Sequence, residues 1–389
     1  RHGAPHAMSL QVLLAETPEL REAIYALRYV IYVEEMGKSP PAADHQRRWI
    51  RDGLDATARL YAVQDEAGTL VGTLRLNRLS DLSDPTTELA PLPIATLLER
   101  FPPEAISHTS RLMLLPAWRG GAALGLLFNR CYGDAAEAGV RVDLCHAKPG
   151  LVELYEQLGY RRFCPGLDLK GVGYQVPMLL ALHDRAHLRE SRSPLLRHPA
   201  SRQGEDPWGD ATWMASIAES YRGLNHRLVE PDAFWGAVGD ALREGEQEIP
   251  LFRGLSEEQS RALLKTGTVL SCQPGDPLVR EGEPQQELFV VLEGVAEVWR
   301  EQEGHRLSLA LLERGAVFGE MGFLGRSRRS ADVIAVTPMR VLVLTQAFLN
   351  RSIRHQPDAA ALLLRNLSMV LAERLAQTTD RLWQLSQST

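Results

Sequence analysis

The sequence predicts an α+β protein of two domains, and three observations predict it. Helical and strand patterns alternate through the first half; the last third is a series of short strands cut by glycine turns and closed by a long amphipathic run; a turn-rich, charged stretch lies between them. With 389 residues, 44% of them hydrophobic and 24% charged, the chain is large enough for two separate cores. The expected boundaries are a mixed α/β domain over 8–185, a linker and helical connector over 186–247, and a β-roll with a C-terminal helix over 248–389. Residues 1–7, ahead of Met8, read as a cloning remnant and are set aside.

In the front half, residues 18–33 have the spacing of an amphipathic helix. Residues 59–63 and 70–75 read as strands about the turn Asp65-Glu66-Ala67-Gly68, and 111–115 as another strand. The segment Pro116-Ala117-Trp118-Arg119-Gly120-Gly121-Ala122-Ala123-Leu124-Gly125 then runs through small residues into a helix that ends near Gly139. Exposed N–H groups at such a helix start can cradle a pyrophosphate or a phosphopantetheine phosphate. A strand over 142–145 and a helix over 151–160 follow.

The boundary region carries Ser191-Arg192-Ser193-Pro194 and the run from His198 to Pro207, both rich in turn formers. From Trp208 to Arg243 an apolar stripe of Trp213, Ile217, Tyr221, Leu224, Leu228, Phe234, Val238 and Leu242 predicts two helices joined near Pro231, a candidate relay between the domains. The four cysteines stand in no Cys-x-x-Cys spacing, so neither a metal site nor a disulfide framework is expected. No signal peptide and no membrane-length apolar run is evident, which makes the cytoplasm the expected compartment.

In the rear half, residues 251–256 lead into a helix to about Lys265. Short strands over 269–298 are turned by Pro274-Gly275-Asp276, Glu281-Gly282-Glu283 and Glu293-Gly294. Residues 318–333 combine Gly319, Gly322 and Gly325 with Glu320, Arg329 and Ser330. The glycines let successive N–H groups converge on an anion; Arg329 can meet a phosphate with two prongs; Glu320 can accept from a vicinal sugar hydroxyl. One ligand carries both groups, a cyclic nucleotide. The competing reading is a surface ion pair between Glu320 and Arg329, worth ~0–1 kcal/mol.

This segment resembles the phosphate-binding cassette of the cyclic-nucleotide-binding domain family, over roughly 248–378. Gly319 and Glu320 match the Gly-Glu pair, Arg329 the phosphate arginine and Ser330 the hydroxyl residue after it; with Met321 the cassette is similar to that of bacterial catabolite activators. The resemblance implies cAMP or cGMP as effector. The run 357–385, apolar at 362, 363, 364, 367, 370, 371, 375 and 382, reads as a lid helix that can also seat a second copy in a homodimer. Choice of base would fall to lid residues such as Arg365, Asn366 and Thr378. Only a polar tail follows, and the net charge is −6, so DNA binding is not expected.

The front half resembles the GNAT acyltransferases, whose loop cradles the acyl carrier and whose Leu-Tyr-Glu-x-x-Gly-Tyr helix offers a tyrosine, here Tyr155, to the leaving thiolate. The usual Arg-Gly-x-Gly-x-Gly loop is altered here to Arg119-Gly120-Gly121-Ala122-Ala123-Leu124. Residues 27–35, the pair Asp52 and Asp55, Gly72-Thr73-Leu74-Arg75-Leu76, Ser110-Arg111-Leu112 and the late Pro177-Met178-Leu179-Leu180 are similar to the N-acyl amino acid synthase and acyl-homoserine-lactone synthase group. His108 stands where that group has an acid. The resemblance implies an acyl group taken from acyl carrier protein or CoA and passed to a small amine, with no metal.

Attack of an amine on a thioester needs a proton acceptor, donors for the oxyanion and a seat for the thiolate. His108 can take the proton, Asp52 and Asp55 can hold an ammonium, and Arg28, Arg75 and Arg111 can orient a carboxylate or the carrier's phosphates. Leu112, Leu114, Arg119, Gly120, Gly121, Ala122, Ala123 and Leu124 are the expected carrier-binding positions, a strand N–H near Leu114 or Leu115 meeting the oxyanion. Arg28 with Asp55 also reads as a structural ion pair, His108 as a structural histidine, and Tyr155 as a packing residue. Three functions are consistent with the sequence: a cyclic-nucleotide-gated N-acyltransferase of small amines, a cAMP-regulated protein lysine acetyltransferase, and a non-catalytic sensor of acyl carrier and nucleotide.

Overall fold

The computed structural model describes residues 10–119, 121–169, 172–202, 206, 208–221, 249–264, 267–302, 304–325 and 327–387. The chain divides into two compact units, Arg1–Ala147 with Leu154–Tyr221, and Lys148–Glu153 with Arg222–Thr389. Each is described by itself. Among the described residues, no helix is long and apolar enough to cross a membrane.

The first unit is built on a mixed eight-stranded sheet. Its strands are β1 (Gln11–Leu14), β4 (Arg59–Gln64), β5 (Leu70–Arg78), β6 (Ile106–Leu114), β7 (Val142–Ala147), β8 (Arg161–Arg162), β9 (Leu167–Leu169) and β10 (Gly173–Ala181); β2 (Ala43–Asp44) and β3 (Trp49–Ile50) form a separate small ribbon. The order is β1-β4-β5-β6-β7-β10-β8, with β9 also on β10, and every pair is antiparallel except β6 with β7. Both faces are covered, so β5 and β10 are buried along nearly their whole lengths rather than on alternate residues.

Helix α1 (Pro18–Tyr29) starts where the Thr17 side chain accepts from Leu20 N–H and proline occupies the first turn, both favourable at a helix start. It buries Ile24, Tyr25, Leu27 and Arg28, then runs into one π-helical turn, Val30–Glu35. Two short helices, α2 (Pro85–Glu88) and α3 (Ile94–Leu98), lie between β5 and β6. Helix α4 (Ala122–Glu137) connects parallel β6 to β7 and buries Ala123, Leu127, Phe128, Cys131 and Ala135. Helices α5 (Val152–Leu158), α6 (Arg185–Glu190) and α7 (Asp210–Ala218) follow. Met214 of α7 joins the core of Leu144, Phe163 and Leu179, with Trp213 edge-on to Phe101 at 5.2 Å, so the first unit continues through this helix. The rest of the first expected helix beyond Tyr221 and the whole of the second, after Pro231, lie outside the described residues.

The parallel β6–β7 join holds a buried acid. Asp143 accepts hydrogen bonds from the Ser107 hydroxyl and, at 2.6 Å, from the Tyr160 hydroxyl. Burial pushes its carboxyl up to about 6 against the pull of those donors.

The second unit is a roll of two four-stranded antiparallel sheets. One has the order β11 (Thr268–Cys272), β18 (Met339–Leu344), β13 (Leu288–Glu293), β16 (Val317–Phe318); the other runs β12 (Pro277–Val279), β17 (Asp332–Ala335), β14 (Ala296–Gln302), β15 (His305–Leu312). Gly294 (φ +83°) turns β13 into β14 where a Cβ would lie 2.5 Å from the Pro338 carbonyl oxygen, so only glycine fits. Leu288, Val290, Leu342 and Leu344 form a core with Phe348 of the helix Gln346–His355 and Leu363 and Leu367 of the helix Pro357–Gln387. Asn366 is buried in that helix and donates to the carbonyls of Leu251 (3.1 Å) and Arg253 (2.8 Å), tying it to the opening segment of the unit.

A carboxyl whose folded pKa is raised favours the protonated folded state. Its contribution is therefore present below the unfolded value near 3.9 and is lost as pH rises through about 6. A rise of that size corresponds to at most ~3 kcal/mol. Urea unfolding at pH 4.5 and 7 should show Asp143→Asn flattening this fall, and an unchanged slope would place the titration elsewhere.

Candidate functional sites

Strand pairing sets the front site. β5 and β6 place Arg75 opposite Ser110 and Asn77 opposite His108, and β6 with β7 places His108 opposite Leu144, so Arg75, Ser110, His108 and His146 share one face of the sheet. The register of β5 on β6 shifts once, with Leu74 facing both Arg111 and Leu112, and Arg111 adopts φ +55°. This bulge re-aims the Arg111 side chain away from strict alternation.

The two aspartates come from the tight turn Gly53–Asp55. Leu54 N–H donates to Asp52 Oδ1 (3.1 Å) and Asp52 N–H to Asp55 Oδ2 (2.9 Å), a reciprocal cap that holds both carboxylates in place. Arg28 from α1 grips Asp55 with Nη1 at 2.9 and 3.0 Å from its two oxygens, both side chains fully buried. Arg75 bridges the pair, with Nη1 at 2.5 Å from Asp52 Oδ1 and 3.2 Å from Asp55 Oδ1, while its Nε donates to Ser110 Oγ at 3.0 Å. Arg111 Nη2 lies 2.6 Å from Asp52 Oδ2, and its guanidinium stands 5.9 Å from the Tyr32 ring centre. Five expected site residues therefore form one network of three guanidiniums and two carboxylates, one positive charge in excess.

Burial works against the Asp52 carboxylate, yet Arg75 and Arg111 together outweigh it and hold the group well below the usual carboxylate range. Burial also pulls Arg28 down to about 10, offset in part by Asp55, so it stays charged near neutrality. Beside the network, His108 is 3% exposed, and among the described residues neither of its ring nitrogens has a hydrogen-bond partner. Burial, then His146 and Arg75, push it well below its ordinary value, so it is neutral at pH 7. Its ring stacks on His146, centres 5.9 Å apart. The sequence reasoning missed His146; the alternation Leu144, His146 along β7 was visible, but the face they share with His108 was not.

The β6–β7 ladder covers only Ile106–His108 and Val142–Leu144, although β6 runs on to Leu114 and β7 to Ala147. The strands part beyond His108 and leave a notch in the sheet. Because α4 is the crossover between them, its start lies toward the carboxyl end of β6, where the notch opens. Among the described residues no side chain caps that start at Gly121; Ala122 is exposed, Ala123 buried and Leu124 half-buried, while Gly120 lies outside the described residues. Arg119 donates from Nε to the Leu114 carbonyl (3.0 Å) and forms a two-pronged pair with Glu35 at 2.7 and 2.6 Å. Leu112 is half-buried and Leu114 buried at the notch edge. Tyr155 is not drawn into the arginine network: it is 6% exposed and edge-on to Phe128 (5.9 Å) and Tyr160 (5.5 Å). Burial pushes its hydroxyl well up, so it stays protonated and able to donate.

In the second unit Arg329 turns toward the glycine corner. Its Nη1 donates to the Gly319 carbonyl (2.8 Å) and Nη2 to the Glu287 carbonyl (2.7 Å), while Nε has no partner among the described residues. Gly319 has φ +84°, and a Cβ there would sit 2.4 Å from Arg329 Nη1. Glu320 and Met321 open the short helix Glu320–Gly325; Met321 is 53% exposed, and Ser330, after Arg329, is exposed as well. Glu320 is not paired with Arg329. It pairs with Arg374 of the helix Pro357–Gln387 (3.0 Å), and Arg374 also donates to the Val317 carbonyl. Arg374 was not among the lid residues expected to matter; of those, Asn366 makes the backbone ties described above, and Thr378 donates to the Arg374 carbonyl at 2.8 Å.

Removing one partner of a fully buried ion pair leaves an uncompensated charge, which typically costs about 3–5 kcal/mol. Asp55→Ala should lower the unfolding free energy by that order in urea titrations, whereas Glu34→Ala, which breaks the exposed Arg48–Glu34 pair, should change it by less than about 1 kcal/mol.

Residues 23–183 match the family model described as N-acyl amino acid synthase FeeM, and residues 269–356 match that of the cyclic nucleotide-binding domain. The chain is 33% identical over 129 residues to a cyclic AMP receptor protein of Thermus thermophilus, covering 33% of this chain and 58% of that protein. It is 30% identical over 134 residues to cyclic nucleotide-gated channel beta-3 of Canis lupus familiaris, covering 34% of this chain and 17% of the channel. The crystal structure of the Thermus thermophilus catabolite activator protein aligns at 33% identity with a TM-score of 0.32, over 35% of this chain and 63% of that one. The chain thus spans less than two thirds of each of these relatives. It joins an N-acyl amino acid synthase domain of the FeeM family, an acyltransferase domain, to a cyclic nucleotide-binding domain.

Proposed function

We propose that this chain is a cytoplasmic N-acyltransferase that moves an acyl group from the thioester of an acyl carrier protein or CoA to the amine of an amino acid or related small molecule, under control of a cyclic nucleotide. The observation that carries this reading is the network of Asp52, Asp55, Arg28, Arg75 and Arg111 beside the β6–β7 notch. One guanidinium in excess of the carboxylates suits an acceptor that brings its own carboxylate, and Asp52, ionised and partly exposed, suits its ammonium.

In this reading the pantetheine arm lies in the notch, where unpaired strand N–H and C=O groups can bond to its amides, and its phosphates face the uncapped start of α4 with Arg119 beside them. The amine attacks the carbonyl carbon of the thioester. A strand N–H near Leu114 receives the oxyanion, an imidazole of the His108–His146 pair takes the amine's proton, and Tyr155 donates toward the leaving sulfur.

In the rear unit the phosphate of the nucleotide meets Arg329, Ser330 and the N–H groups around Gly319 and Met321, while Glu320 accepts from the ribose hydroxyl. The similarity to a protein named cyclic AMP receptor protein supports cAMP as the effector. Glu320 is held by Arg374, so a ligand that engages Glu320 acts directly on the helix Pro357–Gln387. That helix is the two-state element through which binding alters turnover.

Purified chain, supplied with long-chain acyl carrier protein and a panel of amino acids, should release free thiol and form an N-acyl amino acid detectable by mass spectrometry. Consumption of acetyl-CoA on protein lysines alone would overturn the small-amine reading. Arg111→Ala should lower kcat/KM by ~100-fold or more, because it removes a charge-assisted contact to the acceptor. Calorimetry with cAMP should show Arg329→Ala weakening binding by ~2–4 kcal/mol, roughly 30-fold to 1000-fold. If saturating cAMP and cGMP leave thiol release unchanged in the active enzyme, the gating part of the reading fails.

A further inference from the structure

Two imidazoles share the polar face of β6 and β7, and their surroundings differ. His108 is 3% exposed and makes no hydrogen bond through either nitrogen among the described residues. His146 is only partly buried, and its Nδ1 lies 3.3 Å from Gln175 Oε1. The orientation of that amide is determined, because Gln175 Nε2 donates to the Tyr174 carbonyl at 2.8 Å and an oxygen in its place would face another acceptor. Gln175 Oε1 therefore faces His146 as an acceptor, which requires the hydrogen on Nδ1. The lone pair of His146 is then on Nε2.

We propose that His146, kept in its Nδ1–H tautomer by Gln175, is the residue whose Nε2 takes the proton of the attacking amine, with His108 as the stacked ring that holds its plane. This rests on the acyl-transfer reading and identifies a catalytic residue for it. In the step, the amine nitrogen bonds to the thioester carbonyl carbon and the C–S bond breaks. The proton lost by nitrogen passes to His146 Nε2 and is then returned to the thiolate side or to water, leaving one amide and one thiol.

The charged and titratable groups that face His146 are Arg75 on β5 and His108 and Arg111 on β6, with Gln175 on β10. Burial, opposed by the Gln175 bond and reinforced by Arg111 and Arg75, holds the imidazole down to about 4, neutral throughout the physiological range. An acceptor whose carboxylate neutralises Arg111 and Arg75 relieves the cationic part of that depression. The base then strengthens as the amine arrives.

Full-length protein carrying ¹⁵N-labelled histidine tests this by long-range ¹H–¹⁵N correlation, with His146→Phe supplying the assignment. The expected result is a protonated Nδ1 and an unprotonated Nε2 at His146, with the two tautomers mixing in Gln175→Leu. In turnover assays His146→Phe should lower kcat by about 100-fold or more with KM for the amino acid little changed. Gln175→Glu should raise the pH at which the His146 resonances titrate. A wild-type Nε2–H tautomer, or a His146→Phe enzyme within about 3-fold of wild-type kcat, would overturn the assignment while leaving acyl transfer intact. Absence of thiol release from wild-type enzyme with every acyl carrier overturns both.

Discussion

The front unit depends on a buried electrostatic compromise: three arginines held against two aspartates in the protein interior. Taking any of these charges out of water costs several kcal/mol, and only close pairing returns it. The geometry shows how closely the compromise is made, for Arg28 meets both oxygens of Asp55 and Arg75 spans both aspartates. The reciprocal cap of Asp52 and Asp55 holds the two anions in fixed positions. Such a network is weak evidence for stability and good evidence for a site, since a buried pair of this kind is often matched or exceeded by packed apolar side chains.

The rear unit applies the same physics with fewer groups. Arg329 is 5% exposed and directed at backbone carbonyls rather than at a nearby carboxylate, with Glu287 no closer than 3.9 Å. Neutral oxygens take the hydrogen bonds of its two Nη groups without cancelling its charge, which leaves the corner attractive to an anion. Glu320, the other half of the expected pocket, is engaged by Arg374 on the long helix. Glu320, which the proposed reading turns toward a ribose, and the long helix are thereby joined by one partly exposed ion pair, a bond weak enough for the exchange that reading requires.

Much of the fold was legible because it is written in local patterns. The helix starting at Pro18, the strands after Ala58 and Thr69, the small-residue entrance to α4 and the glycine turns of the roll are each specified within a few residues. The cassette was legible for the same reason: Gly319, Glu320 and Arg329 sit within one short segment whose backbone only glycine can follow at its corner. Less visible was the extent of the first unit, where α7 at Asp210–Ala218 packs into the core with Phe163 and Leu179, because an apolar stripe does not say which core receives it.

By itself the sequence determined which chemistry-bearing residues exist and which elements carry them: the aspartates in a turn, the arginines on a helix and two strands, Arg329 after its glycines. Tertiary structure alone decided their company. Arg111 reaches Asp52 across 59 positions and Arg374 reaches Glu320 across 54, while His146 faces His108 only through the short parallel ladder of β6 on β7. Tyr155, expected at the leaving thiolate or as a packing residue, packs with Phe128 and Tyr160. The physical reason is range: turns, caps and periodicity act over a few residues, whereas desolvation and charge pairing depend on which distant segments share one dry interior.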